Sequence, residues 1–442
     1  MMQFSRKFLS NEKLLRILFI LACFIILFIW AYKQPFNSSP DEKMRYVMPK
    51  YIYDNGTLPR ADDPTIVDEK YGHSYAGRPM LSYFISVFFM KICALFSTSE
   101  FALLMAARMG SIACGVGFIF YVMKIADELF TERGTRWLFM ILTCLWPQCA
   151  FMFTYVNCDS LALFSIAMLI YYWIRGAKTS WKISSCIGLG IGLAIGMQSY
   201  YNMYGYVLCS AVFFILYHIF ADDSKEKYRK MFAKGFLIAL IVFALAGWFF
   251  IRNAILYDGD FLGNKITLQM GNTYGAYGAR PMDQSANSLA RLRTAEGIIR
   301  WILLSCRSFI GCFGYMSISL KWWMYVIYCV EILAGLTGII FLFKKTKAAT
   351  SDTVNTFSGY SLWSGCLAAS CLLTLLLDIY YTTLDYQPQG RYLLPALIPF
   401  TYLLTLGIEH LPQKWIKNRS RYIRILISLN CLIFILLPIL LY

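Results

Sequence analysis

The stretch "LLRILFILACFIILFIWAYKQPFNSSPDEKMR", residues 14–45, decides how the rest of the chain is read. From Leu14 to Tyr32 it holds a single charge, Arg16, and is long enough to cross a hydrocarbon core of about 30 Å as one helix. A basic flank precedes it, and it is too long for a signal-peptide core, with no small-residue cleavage site after it. We read it as a retained first span with its N-terminus inside. Immediately beyond it the chain becomes densely charged, with Asp41 and Glu42 adjacent and Lys43 and Arg45 close behind.

Comparable apolar runs recur along all 442 residues, which are 58% hydrophobic and 15% charged, against about 25% charged in a soluble domain. Continuous runs exclude a β-barrel, whose strands would alternate every second residue. In lipid the backbone must satisfy its own hydrogen bonds, so the spans are helices and the fold class is an all-α polytopic integral membrane protein. The net charge of +16 does not indicate nucleic acid, because the bases sit mainly in short loops between apolar runs. The fourteen cysteines form no C-x-x-C pair and the three histidines no cluster. This excludes a disulfide scaffold and a zinc site.

We place about eleven spans near 14–33, 102–123, 137–154, 158–174, 183–199, 203–220, 235–252, 322–343, 359–381, 392–410 and 424–441. The loops "KIADELFTERGTR", "RGAKTSWK", "DDSKEKYRKMFAK", "FKKTK" and "PQKWIKNRSRYIR" are short and rich in Lys and Arg, which puts them on the cytoplasmic side. The stretches 34–101 and 253–321 then become large outer loops of one membrane domain covering 1–442. Segments 79–97 and 298–320 are apolar enough to be counted as spans. Counting either alone inverts the loop charges, and each has an internal base (Lys91, Arg300, Arg307), so both are expected to be extracytoplasmic juxtamembrane or re-entrant helices. "GLGIGLAIGMQ", residues 188–198, has the small-residue spacing of close helix packing and lacks the strand and the base of a nucleotide loop.

Four polar motifs converge on the outer side in this topology. They are "PDEKMR" (40–45), the Asn157–Asp159 junction, "RNAILYDGD" (252–260) and "LDYQPQGRY" (384–392). Each alone has an ordinary explanation: a solvated pair, a helix cap at Asp159 and Ser160, an Arg anchoring a span end. Together they place acids and bases at the edges of apolar runs, where charge is costly unless it is paired or lines a cavity. A sugar on a polyprenyl phosphate would leave behind an anion at this surface, which arginine donors could stabilise. The acceptor hydroxyl needs a carboxylate to take its proton. Asp41, Glu42 and Asp159 are the candidate catalytic acids, with Asp41 first and the choice between Asp41 and Glu42 open. Arg391 and Arg252 are candidates for the phosphate, with Asn157, Gln389, Arg45 and Tyr392 as further substrate-binding candidates. Three or four outer carboxylates could hold a divalent cation, although no ligand spacing demands one.

The motifs P-D-E, Y-V-N-x-D-S, R-N-x-x-x-Y-x-x-D, F-x-G-x-F-G-Y-M and Q-G-R-Y-x-x-P occur in that order between about 38 and 400. This order resembles the bacterial predicted membrane proteins grouped with the GT-C glycosyltransferases, which include protein O-mannosyltransferases and aminoarabinose transferases. The resemblance implies a GT-C-like membrane domain, a catalytic carboxylate at Asp41 and a second acid at Asp159. It also implies a polyprenyl-phosphate sugar donor, a cell-envelope glycan or other acceptor, and a site on the extracytoplasmic face of the plasma membrane. Relatives often carry His three residues after the Glu, where this chain has Arg45. The alternatives are a flippase of lipid-linked glycans, which should show functional charge at mid-membrane (Glu331 and Asp378 are the mid-span acids noted), or a non-catalytic envelope-assembly protein.

Overall fold

The computed structural model describes residues 11–348, 359–416 and 418–441. Residues 1–10, which hold part of the basic flank used to orient the N-terminus, lie outside the described residues.

The chain begins with α1 (Glu12–Lys33) and the short α2 (Glu42–Asn55), followed by α3 (Leu81–Cys93) and the long α4 (Glu100–Leu129). Next come α5 (Arg133–Cys144), α6 (Pro147–Met152), α7 (Asp159–Lys178), α8 (Ile183–Met197) and α9 (Tyr204–Phe220). The helix α10 (Lys227–Val242) passes through a wide turn at Phe243–Gly247 into α11 (Trp248–Leu256). Outside the long helices lie α12 (Asn264–Tyr274), α13 (Pro281–Leu292), α14 (Ala295–Gly311) and a hairpin of β1 (Cys312–Phe313) with β2 (Ile318–Ser319). The chain closes with α15 (Trp322–Ala348), α16 (Tyr360–Leu384), α17 (Leu397–Glu409) and α18 (Arg419–Leu440).

Among the described residues, nine helical stretches are long and apolar enough to cross a membrane, so this is a multi-pass membrane protein. They coincide with nine of the eleven expected spans. The other two are present in altered form. The 183–199 span is the 15-residue α8. The 137–154 span is broken at Trp146–Pro147 into α5 and α6, because proline lacks the N–H that would continue the ladder and suits the first turn of a new helix. The two segments set aside as juxtamembrane form α3, with 13 residues, and α14, with 17. At 1.5 Å per residue these reach about 20 and 26 Å, short of the roughly 30 Å core.

Two packing details account for the glycine and glutamine pattern. Within the wide turn the Ala246 carbonyl accepts the Gln198 side-chain amide of the neighbouring helix end at 2.9 Å. The helices α15 and α17 touch backbone to backbone. A Cβ on Gly407 would stand 1.9 Å from the Gly335 carbonyl oxygen, and one on Gly338 would stand 1.7 Å from that of Gly407. The 188–198 stretch does serve packing as expected, with Tyr172 seated against Gly188.

The helix ends separate two kinds of chemistry. At one end Arg16 binds Asp127, and Arg175 and Lys178 bind Glu128. At the other end of α1 and α7 lie Asp41 and Asp159, about 30 Å away by the length of the 20-residue α7. Replacing Gly407 by Ala should force α15 and α17 apart, since backbone cannot yield as a side-chain tip can. A loss of roughly 1–3 kcal/mol is expected, read as a lower melting temperature in detergent.

Candidate active site

The turn between α1 and α2 builds the site. Asp41 adopts a left-handed conformation (φ 63°), which Asp tolerates better than most side chains. This kink sends Asp41 and Glu42 into different surroundings. Glu42 is fully buried and meets Arg108 in a two-pronged pair, Nε to Oε1 and Nη2 to Oε2, both 2.8 Å. Its oxygens also accept the backbone N–H groups of Val156 (3.3 Å) and Asn37 (3.0 Å). Arg108 Nη1 donates to the carbonyls of Ala31 (2.6 Å) and Gln34 (2.7 Å) at the end of α1. Glu42 is therefore saturated, and the expectation that it supports catalysis gives way to a structural role.

Asp41 remains about a quarter exposed. Its Oδ2 accepts Arg391 Nη2 at 3.1 Å and lies 4.0 Å from Arg45 Nη2. Burial pushes the Asp41 carboxyl upward, but Arg391 and Arg45, with a smaller contribution from His73, outweigh it and hold the group below the usual carboxylate range. Arg45, buried on α2, stacks between two rings, 4.9 Å from the centroid of Tyr75 and 5.2 Å from that of Tyr200. Its Nη1 approaches Asp159 Oδ2 at 3.5 Å. Asp159 does not cap its helix. The Ser160 N–H goes to Asn157 Oδ1 at 2.8 Å, while Asp159 Oδ1 accepts Asn202 Nδ2 at 3.2 Å. Asp41, Arg45, Asp159 and Arg391 thus form one cluster drawn from three distant parts of the chain.

Arg391 is placed by the turn before α17. Gly390 lies so close to α14 that a Cβ would stand 2.1 Å from the Phe309 nitrogen, and its own N–H donates to Ser308 Oγ at 2.7 Å. Only glycine permits that approach, which gives Q-G-R-Y its second residue. Arg391 is 4% exposed and lies over the Tyr392 ring. Its Nε and Nη1, like Nε and Nη1 of Arg45, have no hydrogen-bond partner among the described residues. Buried guanidinium N–H groups are almost always satisfied, so these nitrogens, beside Asp41 and Asp159, are donors that an anion could accept from.

The remaining candidates fall outside the cluster or at its margin. Arg252 donates to the Pro59 carbonyl (2.7 Å), its neighbour Asn253 to that of Gly77 (3.0 Å), and Asp260 accepts the Asn264 and Ile266 N–H groups. The 252–260 motif therefore clamps the two large loops together, and nothing brings Arg252 to Asp41. Asn157 shapes its turn, donating to the Met152 and Tyr155 carbonyls. Tyr392 and Gln389 belong to a run of hydrogen-bonded side chains leading away from Arg391. Sequence reading missed Arg108, Asn202 and Arg78. Arg78 lies 5.0 Å over the Tyr201 ring and donates to Asn264 Oδ1, with no carboxylate partner among the described residues. A lone arginine inside an apolar run, as at Arg108, was the available signal. Among the described residues, no three His, Cys, Asp or Glu side chains gather to hold a metal.

Because Glu42 is buried with a single charged partner, Arg108→Ala should remove about 3–5 kcal/mol of stability. Asp41→Asn, which keeps the size of a partly exposed side chain that can still accept from Arg391, should cost much less. Size-exclusion profiles and melting curves of the two variants distinguish these outcomes.

Comparison with known proteins agrees with this architecture. Residues 75–248 match the family described as dolichyl-phosphate-mannose-protein mannosyltransferase. The fold resembles the Archaeoglobus fulgidus oligosaccharyltransferase crystallised with Zn and sulfate, at 14% identity and TM-score 0.54, over 95% of this chain and 52% of that one. The apo form of the same enzyme gives 14% identity and TM-score 0.51 over 94% and 54%. ArnT from Cupriavidus metallidurans aligns at 13% identity and TM-score 0.41 over 89% and 77%. A search of curated proteins finds no match. This chain spans about half the length of the oligosaccharyltransferase it matches, and the likeness is one of fold.

Proposed function

We propose that the chain is a GT-C-type glycosyltransferase of the plasma membrane. It would move a sugar from a polyprenyl-phosphate donor to an envelope glycan or other acceptor on the extracytoplasmic face. The observation that carries this reading is the pair of buried arginines, Arg45 and Arg391, whose unfilled donors flank the partly exposed Asp41.

In this mechanism Asp41 takes the proton of the acceptor hydroxyl as its oxygen attacks the anomeric carbon. The bond from that carbon to the phosphate oxygen breaks, and polyprenyl phosphate departs with one more negative charge than the diester carried. Arg391 and Arg45 stabilise that growing charge through donors already in place. Arg391 with Asp41 and Arg45 with Asp159 form two charge-balanced pairs, so a phosphate would be met by donors on both arginines. An Asp held below the ordinary range is a weak base on its own. A phosphate bound to the unfilled donors of Arg391 would offset its charge, relieve that depression and strengthen Asp41 when donor is bound. The left-handed backbone at Asp41 fits a position where strain serves function.

Transfer of radiolabelled sugar from a synthetic polyprenyl-phosphate sugar, in proteoliposomes, tests the reading. Asp41→Asn should lower turnover by roughly 10²–10⁴-fold, and wild-type turnover in that variant would refute the assignment. A second measurement is the pH profile of kcat/KM. Arg391 lowers the Asp41 pKa and burial raises it, so Arg391→Gln should move the acid limb to higher pH. An unmoved or lowered limb would separate Asp41 from the titrating base.

A further inference from the structure

Arg391 is held on one side by Asp41 and on the other by side chains that the proposed chemistry does not use. Its Nη2 donates to the Tyr392 hydroxyl at 2.9 Å. That hydroxyl donates to Gln387 Oε1 at 2.6 Å, which also receives the Gln389 amide at 3.3 Å. The Gln387 amide nitrogen in turn donates to Asp385 Oδ2. The relay therefore runs in one direction, from Arg391 to Asp385, inside a single loop pinned to α14 at Gly390.

The ends of this relay set its direction. A guanidinium only donates and an ionised carboxylate only accepts, whereas a phenol and a primary amide each do both. Asp385 obliges Gln387 to turn its nitrogen outward and its oxygen toward Tyr392. Tyr392 must then give its proton to Gln387, which leaves its oxygen lone pairs facing Arg391. If the terminal group could also donate, Gln387 could reverse. Its nitrogen would face Tyr392, the phenol proton would lose its acceptor, and two donors would meet beside Arg391.

We propose that Asp385 is a positioning residue that fixes the Arg391 guanidinium against Asp41 through Gln387 and Tyr392. Its kinetic consequence rests on the glycosyl-transfer reading, while the geometric consequence does not.

The test uses D385N, D385E and the exchange variant D385N/Q387E in the full chain. D385N keeps the size and removes the obligatory acceptor, and should raise KM for the polyprenyl-phosphate sugar about tenfold with a smaller change in kcat. D385E should recover most of the loss. In D385N/Q387E the amide introduced at position 385 can donate to the carboxylate introduced at position 387. That carboxylate again accepts from Tyr392, so KM should return toward wild type. Unchanged KM in D385N, or an exchange variant no better than D385N, overturns the proposal. A structure of D385N decides independently of turnover. Loss of the 3.1 Å contact between Arg391 and Asp41 supports the proposal, and its retention overturns it. A wild-type protein that transfers no sugar sinks the glycosyl-transfer reading and leaves this structural comparison decisive for Asp385.

Discussion

The buried pair of Glu42 and Arg108 is the constraint on which the site depends. Neither side chain reaches solvent, and Arg108 lies well inside the apolar α4, where an unpaired charge would be prohibitive. Glu42 neutralises it, and the remaining guanidinium donors reach the carbonyls left open at the end of α1. One arginine thereby ties α1, the start of α2, α4 and, through the Val156 N–H on Glu42, the turn before α7. Asp41 is adjacent to this knot and inherits its rigidity without sharing its burial. Two neighbouring carboxylates thus lie in opposite surroundings because the backbone kinks between them.

The same constraint shapes the electrostatics of the cluster. Arg45 is stacked between Tyr75 and Tyr200, so its position is set by packing rather than by its weak contacts with Asp41 and Asp159. Arg391 is set by the close approach of Gly390 to α14 and by Tyr392. Neither arginine has to move to offer its unfilled donors, and preorganised donors of this kind lower the cost of charge development. Arg45, permanently charged and set against two rings, keeps a positive charge beside Asp41 at every physiological pH, which a histidine would not.

Much of this was legible in the sequence. Run length and composition pointed to the helical membrane class and nine of the spans directly, because lipid leaves the backbone few options. Pro147 announced a break that the run-length reading passed over. The convergence of Asp41, Asp159 and Arg391 could be anticipated from loop charge, since each sits at a junction on the same expected side. The division of labour between Asp41 and Glu42 could not, because it turns on one residue's φ and on Arg108, a partner 66 residues away. Arg252 looked like a phosphate ligand for the reason that many span-end arginines do, and its contact with the Pro59 carbonyl is a tertiary fact that no local pattern encodes. Asn202 and Gln387 were invisible for a related reason, since amides carry no charge signal and reveal themselves only through neighbours.

The Arg108 contacts also bear on biogenesis. The groups that satisfy its guanidinium all lie N-terminal to it, on the end of α1, the loop beyond, and Glu42. As the ribosome extends the chain, the hydrogen-bond acceptors and the counter-ion are synthesised before the helix that carries the charge. An arginine that would resist partitioning into lipid by itself can then enter the bilayer alongside partners already delivered, so the order of the sequence doubles as an order of assembly.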